Sequence, residues 1–225
     1  MTPSVRTVFR GPRRAAAALT AVAAIAAVSA GGATSAAAHG SSPSYGYTAV
    51  RSGVPAGAGH FSVTSPDVRD GGTFPADFYA DAFGCASANR QVRLAWSGAP
   101  RGTRSYAVTM FDPDAPSGAG FWHWLTWDIP AASHTLGDTP PPGAVAGTDD
   151  AGVTGYLGPC PPAGDIPHRY VITVYALDVP TLALPAATPA TVTTFTMSSH
   201  ITATARLTAT ARLTATARLT ATARR

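Results

Sequence analysis

The chain predicts an all-β or mainly β domain with any helix confined to its C-terminal end, and three observations predict it. Its 225 residues include 20 Pro and 22 Gly, a density that breaks long helices and favours short strands joined by turns. Several stretches rich in aromatic and β-branched residues have strand length, and turn signals separate each pair. No long stretch before residue 186 shows helical periodicity. A chain of this length can bury a full core as one domain plus appendages.

The first 38 residues stand apart from that domain. Arg6, Arg10, Arg13 and Arg14 precede an apolar run from Ala15 to Ala30, and Ser35-Ala36-Ala37-Ala38 offers an A-x-A cleavage site before His39. A run of about 16 residues falls short of the roughly 20 that span a membrane. The segment is therefore expected to be a cleaved signal peptide, which leaves a secreted or extracytoplasmic protein with no transmembrane span; an uncleaved anchor is the other reading. Residues 39–59, rich in Ser, Gly, Ala and Pro, read as a flexible linker.

The β domain is expected over residues 60–205. In His60–Pro75, Phe61 and Val63 alternate with polar residues ahead of an Asp-Gly-Gly turn. Gln91–Gly98 alternates at Val92, Leu94 and Trp96. Arg104–Asp112, Phe121–Pro130 and His168–Asp178 carry the strongest strand signals. Charge excludes one class of partner. The 16 basic residues are all Arg and the 12 acidic ones all Asp. Four Arg fall in the leader and five in the last twenty residues, so residues 39–205 hold seven Arg against 12 Asp. An acidic body with a basic tail is not the footprint of a nucleic-acid binder.

The chemistry gathers where the strands end. Asp112 closes SYAVTMFD, Pro113 and Pro116 then turn the chain, and His123 follows in a strand that places Trp122 and Trp124 on its opposite face by simple alternation. A Gly/Pro loop, GYLGPCPPAGDIPHRY, leads into His168 and Tyr170. Asp112, His123 and His168 are each costly to bury alone, so they are expected to meet. Asp114 is expected to cap its turn, and the tryptophans to pack. A phosphate-type anion would find donors here in imidazoles, a phenol and loop N–H groups, with Asp112 holding an imidazole tautomer. Affinity is expected to rise below about pH 6.5, where histidine charges. Two other classes fit the same residues: a 2-His-1-carboxylate metal set, and a hydrolase with a histidine base, although no Gly-x-Ser-x-Gly elbow is present. No cofactor motif is found, and no catalytic residue is assigned.

DPDAP, GFWHW, GPCPP-x-G and HRYVITVYALD together resemble the phosphatidylethanolamine-binding protein family, in particular its bacterial Raf-kinase-inhibitor-like branch. The resemblance runs from about His60 to Leu207. It implies a β-sandwich of antiparallel sheets with a shallow anion pocket and a short terminal helix. It places Asp112, His123, His168 and Tyr170 in the pocket, with Phe121 at the rim and Cys160, Pro161 and Pro162 in the wall. It further implies a cis Ala115–Pro116 bond. The expected ligand is phosphate, phosphoethanolamine or a lipid headgroup. Inhibition or modulation of a protein partner through exposed loops is the alternative, since relatives are named for restraining a kinase or a protease. Arg90-Gln91 and Asp149 depart from the branch's usual residues.

Two features remain. Cys85 and Cys160 are an even pair in a chain expected to be exported, which favours a disulfide over two buried thiols. From Thr202 the hexapeptide TATARL repeats, and residues 206–225 are expected to form a tail. Its leucines advance 240° per copy on a helical wheel and form no single face. The first copy is expected to be the terminal helix and the rest a fraying appendage or a basic arm toward anionic polymer or lipid.

Overall fold

A computed structural model describes Gly46 and residues 53–214. The leader, most of the linker and the last eleven residues lie outside the described residues. Among the described residues there are ten strands, one short 3-10 turn (Ala76–Phe78) and one α-helix: β1 (Gly59–His60), β2 (Ser62–Thr64), β3 (Gly72–Thr73), β4 (Leu94–Ser97), β5 (Ser105–Asp112), β6 (Phe121–Pro130), β7 (Thr135–Leu136), β8 (Val145–Ala146), β9 (His168–Leu177), α1 (Ala190–Ser198) and β10 (Ile201–Ala211).

The large sheet has the order β1-β10-β9-β5-β6-β8, with β3 also on β10, and the small one is β2-β4-β7. The long strands β5, β6, β9 and β10 pair antiparallel. Alternation decides what each face holds. Tyr106, Val108, Met110, Tyr170, Ile172 and Val174 point from the large sheet toward Leu94, Trp96 and Leu136 of the small one, forming the core between the sheets. Leu125, Trp127, Tyr175 and Leu177 point to the other face, where Met197 of α1 and Ile201 cover them. Val54 and Ala58, from the expected linker, also pack on that second face.

Three expectations are corrected here. The first repeat copy is a strand, not a helix. β10 pairs with β9 from Ile201 to Ala211, which crosses the expected boundary at 205/206, and α1 precedes it. The reason is the period: six is three times two, so each copy returns to the same face of a strand although it drifts around a helix. Ala203, Ala205, Leu207, Ala209 and Ala211 are all buried.

The second correction concerns the tryptophans. Met110 pairs with Trp124 and Phe111 with Trp122, so His123 is the extra residue of a β-bulge. Trp124 thus shares the inter-sheet face with His123, and of His123's two neighbours Trp122 alone packs on the other side, where Trp127 also lies. The third concerns the proline turn. Every described peptide bond is trans, Ala115–Pro116 included. Gly118 and Gly120, both at positive φ, reverse the chain there.

Candidate functional site

The bulge in β6 and the ends of β5 and β9 converge at one edge of the inter-sheet core. Asp112 is the last residue of β5, His168 the first of β9, and Tyr170 sits one same-face position further along. His168 Nδ1 lies 2.8 Å from Asp112 Oδ2, and its Nε2 lies 3.3 Å from Asp165 Oδ2. Both ring nitrogens therefore face carboxylates, which only accept, and the ring that satisfies both is the imidazolium. Burial pulls the His168 pKa down, but the hydrogen bonds and charges of Asp112 and Asp165 outweigh it and the net direction is up.

His123 is the opposite case. Its Nδ1 lies 3.2 Å from the Leu157 carbonyl, so Nδ1 donates and Nε2 keeps its lone pair. Burial drives its pKa down to about 4 against the opposing charge of Asp112. The two imidazoles of the site are thus shifted in opposite directions, His168 toward the charged form and His123 toward the neutral one. The expectation that histidine charging near pH 6.5 governs the site is corrected to this extent: His123 stays neutral well below that value, because burial outweighs both the Asp112 charge and the Leu157 carbonyl, which favour the cation.

Tyr170 stacks edge-on against His123, with ring centroids 5.1 Å apart. Its hydroxyl is buried close to Asp112 and the Cys160 backbone, with no hydrogen bond of good geometry, and burial with the Asp112 charge raises its pKa. The phenol therefore stays a neutral O–H donor beside the imidazole. Asp112 itself is locked, since its other oxygen accepts from Asp114 N–H at 2.8 Å. Asp114 was expected to cap its turn, but Asp112 accepts the turn N–H, and the Asp114 carboxylate takes the Arg169 backbone N–H and guanidinium, both at 2.8 Å, fixing the DPDAP loop to the start of β9.

The wall is built by the loop before β9. Cys160 is bonded to Cys85, with Cα atoms 6.0 Å apart. Asn89 holds the same loop by donating to the Tyr156 carbonyl and accepting from Gly158 N–H at 2.7 Å. Gly158 is required, because a Cβ there would stand 2.1 Å from the Phe78 carbonyl. Pro162 is exposed and touches the cluster only indirectly: its carbonyl accepts from Asp165 N–H. Phe121 lies against His123 at 4.8 Å, and Phe83 stands edge-on to Phe121 at 6.4 Å while 69 % exposed.

Sequence reasoning missed Asp165 and Phe83. Asp165 could have been noticed as a carboxylate three residues before His168. Phe83 carries no such signal, since its place depends on positive φ at Phe83 and Gly84 and on the disulfide two residues later. A cavity of about 460 Å³ opens on the other face of the sheet, between α1 and residues such as Phe111, Trp122, Val171 and Arg206. None of Asp112, His123 or His168 lines it.

The sequence profile of the family described as phosphatidylethanolamine-binding protein matches residues 64–212. YbcL of Escherichia coli is 44 % identical over 128 residues, spanning 53 % of this chain and 70 % of YbcL. A Mycobacterium tuberculosis protein named lipoprotein LppC is 36 % identical over 143 residues, 63 % of this chain and 68 % of its own. The crystal structure of E. coli YbcL superposes with a TM-score of 0.67 at 37 % identity, covering 68 % of this chain and 99 % of that one.

Proposed function

This chain belongs to the phosphatidylethanolamine-binding protein family, and from that premise we propose that it is an exported binding protein for small phosphate-type anions or phosphorylated headgroups. The ligand site is the cluster of Asp112, His123, His168 and Tyr170. One observation carries the reading: the outer nitrogen of His168 is held by Asp165, whose side chain is 35 % exposed, while His168 itself is 1 % exposed. A carboxylate oxygen on a partly open loop occupies the position that a ligand oxygen would take.

The chemistry of exchange follows. With Asp165 in place, the cluster carries two carboxylates and one imidazolium. A phosphate oxygen that replaces Asp165 leaves His168 donating to the ligand while Asp112 keeps the ring oriented. Tyr170 supplies a neutral O–H donor. His123 presents a lone pair, so an anion seated against it draws a proton onto Nε2, and binding takes up a proton at neutral pH. Phe121 and Phe83 form an apolar rim that suits the methylenes of an ethanolamine ester more than a bare anion.

Isothermal titration with inorganic phosphate and with phosphoethanolamine tests this. Asp165→Ala removes the competitor and is expected to tighten both ligands about tenfold, in line with loss of one charge-assisted contact. His168→Ala is expected to abolish binding. Repeating the parent titration at pH 7 in buffers of different ionisation enthalpy reads the proton uptake. If His168→Ala and His123→Ala both bind like the parent, the site is elsewhere.

A further inference from the structure

The place that β10 fills in the sheet matches more than one part of the chain. From Ile201 the sequence runs ITATARLTATARLT to Thr214, and Leu207–Thr220 repeats it with one change, Leu in place of Ile at the first position. The later copies lie outside the described residues, and only their sequence enters here. Strand register is ordinarily pinned because a one-residue slip turns every inward side chain outward. A slip of six residues turns none. Ala209, Ala211 and Leu213 would take the positions of Ala203, Ala205 and Leu207, all of which are buried.

The polar contacts transfer as well. Thr208 N–H donates to Asp70, Arg212 N–H donates to the Tyr79 hydroxyl, and the Leu213 carbonyl accepts from Gly164 N–H. After the slip Thr214, Arg218 and Leu219 bring the same groups to the same partners. Arg206, the exposed position on the far face, is replaced by Arg212. A slip of twelve is poorer, since Arg225 would stand where Leu213 does.

Little opposes the six-residue slip. Ile and Leu have equal volume, and such exchanges cost little where repacking is possible. The link from α1 to β10, now Ser199 and His200, would gain six residues, and closure entropy grows only with the logarithm of length. A second molecule could use the spare copies, but a tethered segment competes at roughly millimolar effective concentration. We infer that β10 is register-degenerate within one molecule: the slot between β9 and the short strands β1 and β3 accepts Leu207–Ala217 in place of Ile201–Ala211, and the repeats serve as spare copies of a core strand.

Two aspartates in the full chain test this. Ala205→Asp buries a charge in the present register, but a slip moves residue 205 into the α1–β10 link. Ala217→Asp lies beyond β10 in the present register, yet it takes the place of Ala211 after a slip of six and of Ala205 after a slip of twelve. Ala217→Asp alone is expected to leave Tm unchanged, and Ala205→Asp to lower it by only ~4–8 °C. The double variant is expected to lose cooperative unfolding, a non-additivity between residues that do not touch. Hydrogen exchange of Ala205→Asp is expected to show protection moving from residues 201–206 to residues 212–217. Ala205→Asp and the double variant behaving alike overturns the inference, whether both fold or neither does. A recovery of Ala205→Asp that depends on protein concentration overturns it too, because the copies are then exchanged between molecules.

Discussion

His123 and His168 lie in one cluster and shift in opposite directions, because burial dominates at His123 while at His168 two carboxylates outweigh it. The difference gives each a separate pH window. A raised pKa such as that of His168 contributes stability that is complete below its unfolded value near 6.5 and fades as pH rises through the folded value. For His123, lowered to about 4, the sign reverses: its contribution is present above about pH 6.5 and is lost as pH falls toward 4. That gap corresponds to about 3 kcal/mol. Denaturant midpoints of the parent and His123→Gln, measured between pH 7.5 and 4, should therefore diverge, with the parent losing about 3 kcal/mol more. Parallel losses would show that His123 is not held neutral by the fold. Asp112, His123, His168 and Tyr170 were legible as polar residues in strand sequences that cannot bury them singly. Asp165 was visible only as a carboxylate three residues before His168, because its reach to the ring depends on the chain reversal at Gly164, which has φ of 87°.

At the scale of elements, local pattern foretold β5, β6 and β9 and failed where two strands had to fit one another. The bulge at His123 exists only because β5 supplies one residue fewer than β6 across the pair, and no property of FWHWLTWDIP announces it. The repeats failed differently. Their alternation was present in the sequence, but Ala, Arg and Leu are good helix formers, and sheet pairing overrode that preference. The Cys85–Cys160 bond is also a relation between elements, tying the loop after the short 3-10 turn at Ala76–Phe78 to the loop that walls the site. It closes 75 residues of sequence, which the chain-entropy model values at about 4.5 kcal/mol, with about 2–4 typical in practice. Titration of denatured, unreduced protein should find no reactive thiol, and two per chain would end the claim. Reduction should lower Tm by roughly 5–15 °C and weaken phosphoethanolamine binding, because Cys160 then no longer holds the wall beside Tyr170.

For the molecule as a whole, the question is the compartment in which this fold is meant to hold. The described domain depends on a disulfide for one side of its site, and disulfides persist in oxidising compartments rather than in a reducing cytosol. The basic, apolar and small-residue order of Met1–Ala38 has the layout of an export leader, and a similar protein bears the name lipoprotein LppC. Among the described residues no helix is long and apolar enough to cross a membrane. Export would also set the charge of the working protein. Loss of the leader removes four Arg and leaves 12 Arg against 12 Asp, with the positive excess confined to the C-terminal copies. A body with net negative charge that binds an anion must rely on local donors, which is the role assigned to His168 and Tyr170, and raising ionic strength should change its affinity little. We therefore expect the mature chain to begin near His39 and to be recovered outside the cytoplasm. Intact-mass measurement of protein from the culture medium or cell envelope decides the matter: a mass matching His39–Arg225, two hydrogens short for the disulfide, is the expected result. A mass that still includes Met1–Ala38, or protein recovered solely from the cytosol with both thiols free, would remove export and disulfide together, because each depends on the same crossing of the membrane.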